Sequence, residues 1–242
     1  MNRIDLHVHT VASGHAMNTL YELAAEAKRR GLQAIAITDH GPAASGAPGN
    51  PYFHVLCTRV PDSINNVRVF KGIETNILDA QGRIDLSPDL TPLMDVVVAG
   101  MHPITDYRDQ GEDGNTAAVI SAIKANPAID VLAHPVNTWY PIDVDAVAVA
   151  AVAQGVAIEL NESVLARSEL DRGRQQRLVK ATIRHGGRFS IASDAHVASE
   201  LGNDARIQAL IKQLHIPPDI IVNRSLAAAE EFIAVRKSRK QV

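Results

Sequence analysis

The sequence contains a single cysteine, Cys57, among 242 residues. It therefore cannot form an internal disulfide framework or a multi-cysteine zinc or iron–sulfur site, so a bound metal would have to be held by His, Asp or Glu. It also lacks an apolar run long enough to cross a bilayer, and its first residues, MNRIDLHVHT, mix charge and histidine with apolar residues, unlike a signal peptide. We therefore expect a cytoplasmic protein without a membrane partner.

The chain has no excess of basic residues and few aromatic ones. Its formal net charge is −3 and aromatic residues make up 4% of it, so its overall charge does not favour binding to nucleic acid or to an anionic membrane. A short basic cluster near the end is interpreted as a solvated helix end; it consists of Arg236, Lys237, Arg239 and Lys240. Hydrophobic residues make up 46% of the chain, which is enough for one core, and we expect a single domain over residues 1–242.

Strand-like and helix-like segments alternate along the whole chain. The seven strand-like segments are residues 4–9, 34–38, 67–74, 95–100, 130–134, 156–161 and 188–194. The helix-like segments are residues 18–30, 115–125, 143–154, 168–185 and 202–214. Four of these helices begin at a residue type that favours the N-cap: Asn18, Asn115, Asp143 and Ser168. Residues 41–66 are rich in Gly, Pro and Asn, and we predict a long loop there.

Alternating strands and helices predict an α/β fold with a parallel sheet, either open and doubly wound or closed like a TIM barrel. The sequence has no G-x-G-x-x-G or P-loop motif to support a nucleotide-binding open sheet. In the first strand Ile4, Leu6 and Val8 share one face, which we expect to contact the outer helices, and polar residues share the other. We therefore predict a distorted TIM-like (β/α)7 barrel.

Seven of the ten histidines lie at or just beyond the carboxyl end of a predicted strand. They are His7, His9, His15, His40, His102, His134 and His196. Glu74 and Asp194 occupy equivalent positions, and the carboxyl ends of barrel strands converge on the face where active sites are built. Asp5 is a candidate to accept the second ring N–H of a ligating histidine, with a structural buried hydrogen bond as the alternative. The remaining histidines, His54, His185 and His215, are interpreted as structural.

Five short motifs follow one another along the chain. They are DLHVHT at 5–10, TDH at 38–40, GIE at 72–74, HP at 134–135 and SDAH at 193–196. In combination they resemble the motifs of the polymerase and histidinol phosphatase (PHP) family, and in particular its stand-alone trinuclear zinc phosphatases. The resemblance spans residues 5–196 and implies a distorted (β/α)7 barrel that carries three metal ions, usually zinc.

The resemblance also implies how nine ligands would be shared among the three ions. The implied sets are His7, His9, Glu74 and Asp194 for the first ion, Glu74, His102 and His134 for the second, and His15, His40 and His196 for the third. Imidazole and carboxylate without thiolate suit zinc, with manganese or iron as alternatives. The positive charge of three divalent ions exceeds the negative charge of the two carboxylates, and a phosphate dianion would balance the remainder.

We therefore predict a phosphatase that hydrolyses small phosphate monoesters. A hydroxide that bridges the metals, with its pKa lowered to roughly 7, would attack phosphorus in line. Glu74 would bridge two ions, and His196, Asp194 or an ordered water would supply the proton for the leaving group. Asn161, at the end of the sixth predicted strand, is expected to contact substrate or a metal-bound water, and Arg167 is a weaker candidate for binding phosphate.

Two other functions remain open. A nuclease or phosphodiesterase of the same family would act on nucleic acid, but it would need an extended basic or aromatic groove, for which the sequence offers little. A non-catalytic metal-binding or assembly protein is the second alternative, and the complete ligand set argues against it. Association into a homo-oligomer also stays open.

Overall fold

The computed structural model of the protein describes residues 3–167 and 169–240, without the side chains of residues 167 and 169–171. The strands are β1 (Ile4–Val8), β2 (Ala34–Ile37), β3 (Ser63–Ile64), β4 (Val67–Asn76), β5 (Val96–Gly100), β6 (Val131–Leu132), β7 (Ala157–Asn161) and β8 (Phe189–Ala192). The α-helices are α1 (Leu20–Arg30), α2 (Asn50–Arg59), α3 (Gly111–Ala125), α4 (Val144–Gln154), α5 (Glu162–Arg167), α6 (Glu169–Arg184), α7 (Ala205–Leu214) and α8 (Leu226–Lys237). Among the described residues, no helix is both long and apolar enough to span a membrane.

Seven of the strands form one parallel sheet in the order β1-β2-β4-β5-β6-β7-β8. Val8 of β1 forms a parallel bridge with Ala195, which lies just after β8, so the sheet is nearly closed. The short strand β3 pairs with the start of β4 in the antiparallel direction. The architecture is the distorted TIM-like (β/α)7 barrel that the sequence predicts, and all seven predicted strands are present.

Two apolar clusters fill the inside of the barrel and the layer between sheet and helices. The outer cluster includes Ile158 and Leu160 of β7, which pack with the surrounding helices. The inner cluster includes Ile4 and Phe70 from the strands and Phe232 from α8. Helix α8 therefore closes the end of the barrel at which the strands begin, and the opposite end is left for a site.

The first strand does not present its faces as predicted. Ile4 and Leu6 belong to the inner cluster, whereas Val8 belongs to the outer one. The register between β1 and β2 shifts between Asp5 and Val8, and such a bulge breaks the simple alternation of faces. The prediction that all three aliphatic residues contact the outer helices is therefore wrong for Ile4 and Leu6.

The region predicted as a long loop contains a helix and a strand, α2 and β3, so the prediction for residues 41–66 is wrong for 50–59 and 63–64. Helix α2 carries a proline, Pro51, in its first turn, where the missing N–H costs no hydrogen bond. It buries only Phe53 and Leu56, so its apolar pattern is too short to identify it as a helix.

The helix N-caps agree with the sequence prediction only in part. Asp143 caps α4, and its side chain accepts from two backbone N–H groups of the first turn, as predicted. Thr19 rather than Asn18 caps α1. Asn115 is buried within α3, four residues after its start, and is not a cap. Ser168 lies outside the described residues.

The basic cluster at the end of α8 is not a solvated helix end. Arg236 is only 1% exposed, and its Nε donates to Asp130 Oδ1 at 3.1 Å. Lys240 is also buried, and its Nζ donates to Asp130 Oδ2 at 2.5 Å. Of the four basic residues, Arg239 is exposed. Because Asp130 immediately precedes β6, these ion pairs tie the end of the described chain to the barrel.

Candidate metal centre

The nine predicted ligand residues meet at the carboxyl end of the barrel strands. His7 and Glu74 belong to β1 and β4, and the other seven lie in the segments that follow a strand. Contacts between neighbouring side chains join all nine into one cluster. The other three histidines lie elsewhere: His54 is exposed on α2, and His185 and His215 follow the ends of α6 and α7.

Glu74 lies at the middle of this cluster and is fully buried. Its Oε1 is 3.0 Å from His102 Nε2 and 2.9 Å from His134 Nε2. Its Oε2 is 3.2 Å from His7 Nε2 and 2.8 Å from His40 Nδ1. Burial alone would raise the pKa of Glu74, but the nearby imidazoles hold it well below its usual range. An ionised carboxylate thus offers one oxygen to each of two groups of histidines, as a bridging ligand does.

Three pairs of imidazoles bring their Nε2 atoms close together. The separations are 3.0 Å for His7 and His9, 3.3 Å for His102 and His134, and 3.0 Å for His15 and His196. Two nitrogen ligands of a tetrahedral zinc ion, each about 2.05 Å from the metal, lie about 3.4 Å apart. The observed separations are close to that value, and each of the three pairs belongs to a different one of the implied ions.

The buried polar atoms of the cluster also fit a cation. His40 Nδ1 and Glu74 Oε2 are buried and lack a hydrogen bond of acceptable geometry, although they are only 2.8 Å apart. The ligand atoms that lie within 4.8 Å of one another form three sets: His9, His40 and His196; His7, His9 and Asp194; and His40, Glu74 and His102. Two of these sets combine residues of different implied ions, so the sharing of ligands among the ions stays a prediction.

The ring nitrogens on the far side of the histidines are held by hydrogen-bond acceptors. His7 Nδ1 lies 2.7 Å from Glu159 Oε1, and His102 Nδ1 lies 2.7 Å from Asn76 Oδ1. The Asn76 amide nitrogen donates to Asp85, which leaves its oxygen for His102. Since both rings must then carry a proton on Nδ1, Nε2 is the nitrogen that each ring presents to the centre of the cluster.

The same orientation can be deduced for His9. Asp39 is fully buried and accepts from Thr10 Oγ1 at 2.8 Å, Ser13 Oγ at 2.6 Å and Tyr52 OH at 2.5 Å. Because Ser13 gives its only hydroxyl proton to Asp39, its oxygen accepts from His9 Nδ1 at 2.9 Å. Asp39 was not singled out from the sequence, although it lies within the TDH motif, because its burial and its partners depend on the fold.

Asp5, the predicted partner of a histidine ring, is hydrogen-bonded elsewhere. Its carboxylate accepts from Ser193 Oγ at 2.5 Å and from the Ser193 backbone N–H at 3.1 Å, as in the structural alternative. Glu159 takes the predicted role instead. Besides contacting His7, it accepts from the backbone N–H of His134 through Oε2 at 2.7 Å. Asp5 contacts His7 only through the backbone, since its Oδ1 accepts from the His7 N–H at 3.4 Å.

Asn161 lies beneath the cluster and is fully buried. Its Nδ2 donates to Glu159 Oε2 at 3.0 Å and to Asp194 Oδ2 at 3.3 Å, and its Oδ1 accepts from the backbone of Val164. These contacts support a role in positioning the two carboxylates rather than the predicted contact with substrate. The side chain of Arg167, the other predicted substrate residue, lies outside the described part of the chain.

Two residues of the cluster have a left-handed backbone that is unfavourable for a side chain with a Cβ. His134 has φ +24° and Asp194 has φ +57°. The His134 N–H is held by Glu159, and the Asp194 N–H donates to the His7 carbonyl at 3.1 Å. Backbone strain of this kind is found at functional sites, where the surrounding contacts enforce it.

A cavity of about 150 Å³ opens directly above the cluster. Its lining includes six of the predicted ligand residues: His15, His40, His102, His134, Asp194 and His196. The other lining residues are Met101, Pro103, Ile104, Asn137 and Trp139. The cavity thus combines predicted metal ligands with a group of mainly apolar residues.

Glu159→Gln should weaken zinc binding by about 10-fold to 100-fold, the usual effect of losing a partner of a ligating histidine. A glutamine oxygen could accept from His7 or from the His134 N–H, but its amide group would then face the other donor. The measurement is competition with a chelator of known affinity, with Glu112→Gln, at an exposed site on α3, as the matched control. Unchanged zinc affinity in a folded Glu159→Gln protein would contradict the positioning role.

Comparisons with known proteins agree with this geometry. A family model described as the PHP domain matches residues 5–127. A probable phosphatase from Syntrophotalea carbinolica is 41% identical over 233 residues, which cover 96% of this chain and 96% of that protein. A probable phosphatase from Edwardsiella ictaluri is 40% identical over 239 residues, with 98% of this chain and 96% of that protein covered.

The crystal structure of histidinol phosphate phosphatase from Lactococcus lactis, complexed with zinc, L-histidinol and phosphate, also resembles this chain. It superposes with a TM-score of 0.64 and 16% identity, over 88% of this chain and 94% of that one. At this identity the likeness shows the fold alone.

Proposed function

This chain belongs to the PHP domain family, and we propose that it is a metal-dependent phosphatase that hydrolyses small phosphate monoesters with three metal ions, zinc foremost. It is a phosphoric ester hydrolase, in keeping with relatives that are named probable phosphatases. The observation that carries the trinuclear proposal is the set of three imidazole pairs around Glu74, each with its Nε2 atoms 3.0 to 3.3 Å apart.

The proposed roles of the residues follow from their positions. The three implied ligand sets would hold the ions, which when bound would stabilise charge on the phosphate oxygens and lower the pKa of a coordinated water. Glu159, Asn76 and the Ser13–Asp39 pair keep the ligating rings in one orientation. Asp194 and His196, the two predicted proton donors, both line the cavity in which a leaving oxygen would lie.

The nuclease alternative has weaker support. Among the described residues that line the cavity there is no lysine or arginine, whereas a groove that follows a nucleic acid backbone is normally basic. A small cavity with an apolar side fits a compact ester better.

Elemental analysis of the protein supplied with zinc should find about three ions per chain. His15→Ala should retain about two, because His15 contributes one ring, at 3.0 Å from His196, to the implied third ion. The fold should survive, since His15 is exposed in the segment after β1. The turnover number should fall on the order of 100-fold if each ion stabilises a different oxygen of the transition state. A parent protein with one tightly bound ion would contradict the proposal.

The substrate class can be tested directly with the zinc-loaded protein. We expect kcat/KM for p-nitrophenyl phosphate to exceed that for bis(p-nitrophenyl) phosphate by about 100-fold or more, because a diester has one fewer anionic oxygen to bind. Hydrolysis of polynucleotides should be undetectable, and their binding should be weak at all salt concentrations. Preference for the diester, or a polynucleotide affinity that falls steeply with salt, would favour the nuclease.

A further inference from the structure

Trp139, the only tryptophan in the chain, lines the same cavity as six of the predicted metal ligands. Its side chain is 50% exposed although it is large and apolar. A half-exposed tryptophan at the mouth of a cavity is a common way to bind an apolar or planar group, because the ring offers a wide face at little cost in side-chain entropy.

The backbone on both sides of Trp139 is held in place. Asn137 Oδ1 accepts from the backbone N–H of Trp139 at 3.0 Å and from that of Tyr140 at 2.8 Å. The buried Tyr140 hydroxyl donates to the carbonyl of Tyr107 at 3.2 Å, and the two tyrosine rings are 5.5 Å apart. The indole is therefore carried by an anchored turn, and the surface it contributes is preorganised.

Three apolar residues from the segment after β5 line the cavity beside Trp139: Met101, Pro103 and Ile104. This segment is also fixed, since the Ile104 carbonyl accepts from the Ser45 N–H at 2.8 Å. A polar substituent of the substrate that packs against these three residues would lose its hydrogen bonds to water and find few new ones, which costs binding energy. A flat apolar group would instead exchange water for apolar surface.

We propose that Trp139, with Met101, Pro103 and Ile104, forms a subsite for the leaving group, and that the preferred substrates are phosphate monoesters of small aromatic alcohols. The phosphate would lie on the histidine side of the cavity and the aromatic ring against the indole. This inference rests on the proposed phosphatase function. It predicts discrimination against polyol phosphates, whose hydroxyl groups find few partners on this side.

The kinetic test compares benzyl phosphate with glycerol 1-phosphate. Both are esters of weakly acidic alcohols, and they differ chiefly in the group that would contact the subsite, an aromatic ring or a polyol. We expect kcat/KM of the zinc-loaded protein to be about tenfold higher for benzyl phosphate, within the range for stacking on one aromatic side chain. Trp139→Ala should remove this preference mainly by raising KM for benzyl phosphate. Hydrolysis of glycerol 1-phosphate and inhibition by inorganic phosphate should change less than about twofold.

A binding measurement provides a readout that does not depend on turnover. Because the chain has a single tryptophan, its fluorescence reports on this subsite alone. Benzylphosphonate, which is not hydrolysed, should change the emission saturably and bind about tenfold more tightly than methylphosphonate. Val235→Ala, at an exposed site on α8 at the other end of the barrel, is the control and should behave like the parent.

The outcomes separate the subsite from the phosphatase function. Equal efficiency with the two monoesters, or equal affinity for the two phosphonates, would overturn the subsite while the phosphatase function stood. Failure to hydrolyse any monoester would overturn the phosphatase function, and the fluorescence titration would still decide whether the subsite binds aromatic groups.

Discussion

Glu74→Gln should lower kcat/KM for a phosphate monoester on the order of 1000-fold or more. The two oxygens of Glu74 contact different groups of histidines, at 2.9 to 3.0 Å on one side and 2.8 to 3.2 Å on the other. A glutamine keeps one oxygen, but its amide group cannot donate a lone pair to a metal. One side of the cluster therefore loses its carboxylate ligand, and the whole cluster loses a negative charge. A 1000-fold decrease corresponds to about 4 kcal/mol of transition-state stabilisation.

The experiment measures kcat, KM, metal content and thermal stability of Glu74→Gln beside Glu112→Gln. The two substitutions are chemically identical, but Glu112 is exposed on α3. We expect the metal-free Glu74→Gln protein to remain folded, because the side chains have the same shape, and its zinc content to fall by at least one ion per chain. Full activity with fewer ions would be incompatible with a bridging role.

Arg236→Ala should lower the free energy of unfolding by about 3–5 kcal/mol, the usual cost of removing one partner of a buried ion pair. Arg236 is 1% exposed, and its guanidinium contacts Asp130 and the carbonyls of Pro127, Ile129 and Gln154. Alanine would leave the 1% exposed Asp130 with Lys240 as its only cationic partner among the described residues, and would leave a cavity at the base of the barrel.

Arg239→Ala is the matched control, because Arg239 lies three residues later and is exposed. Its free energy of unfolding should change by less than about 1 kcal/mol. Urea denaturation of the metal-stripped proteins measures both values without a contribution from bound zinc. A small effect in Arg236→Ala, similar to that in Arg239→Ala, would show that the buried pair contributes little to stability.

The sequence was sufficient to predict the seven parallel strands of the barrel and which side chains gather at their carboxyl end. The strands are short apolar runs, which can be recognised from the local sequence alone. The carboxyl ends of parallel barrel strands must converge on one face. Residues as far apart in sequence as His7 and His196 could therefore be assigned to one face without any knowledge of their contacts. The subsite residue Trp139 could not be found in this way, because it lies in a loop.

What the sequence could not predict depends on irregular or non-local features. Asp5 contacts Ser193 and Glu159 contacts His7, and nothing in the pattern of alternation distinguishes the two carboxylates. Arg236 belongs to a run of basic residues that is usually solvated, and its burial depends on an aspartate 106 positions away in sequence. Gly49 precedes helix α2, and Asn50 and Pro51 are its first residues; all three residue types favour a loop when considered locally.

A metal ion bound at the proposed site would couple folding to metal occupancy through the nearly closed seam between β1 and β8. Described backbone contacts hold this seam, among them the N–H of His9 to the carbonyl of Ala195 and the N–H of Asp194 to the carbonyl of His7. His7 and His9 lie on one side of it, and Asp194 and His196 lie on the other. A cation bound between them would link residues more than 180 positions apart in sequence. Like a crosslink, it would reduce the conformational entropy of the chain between them. The free zinc concentration would then determine the stability of the closed barrel as well as the rate of turnover.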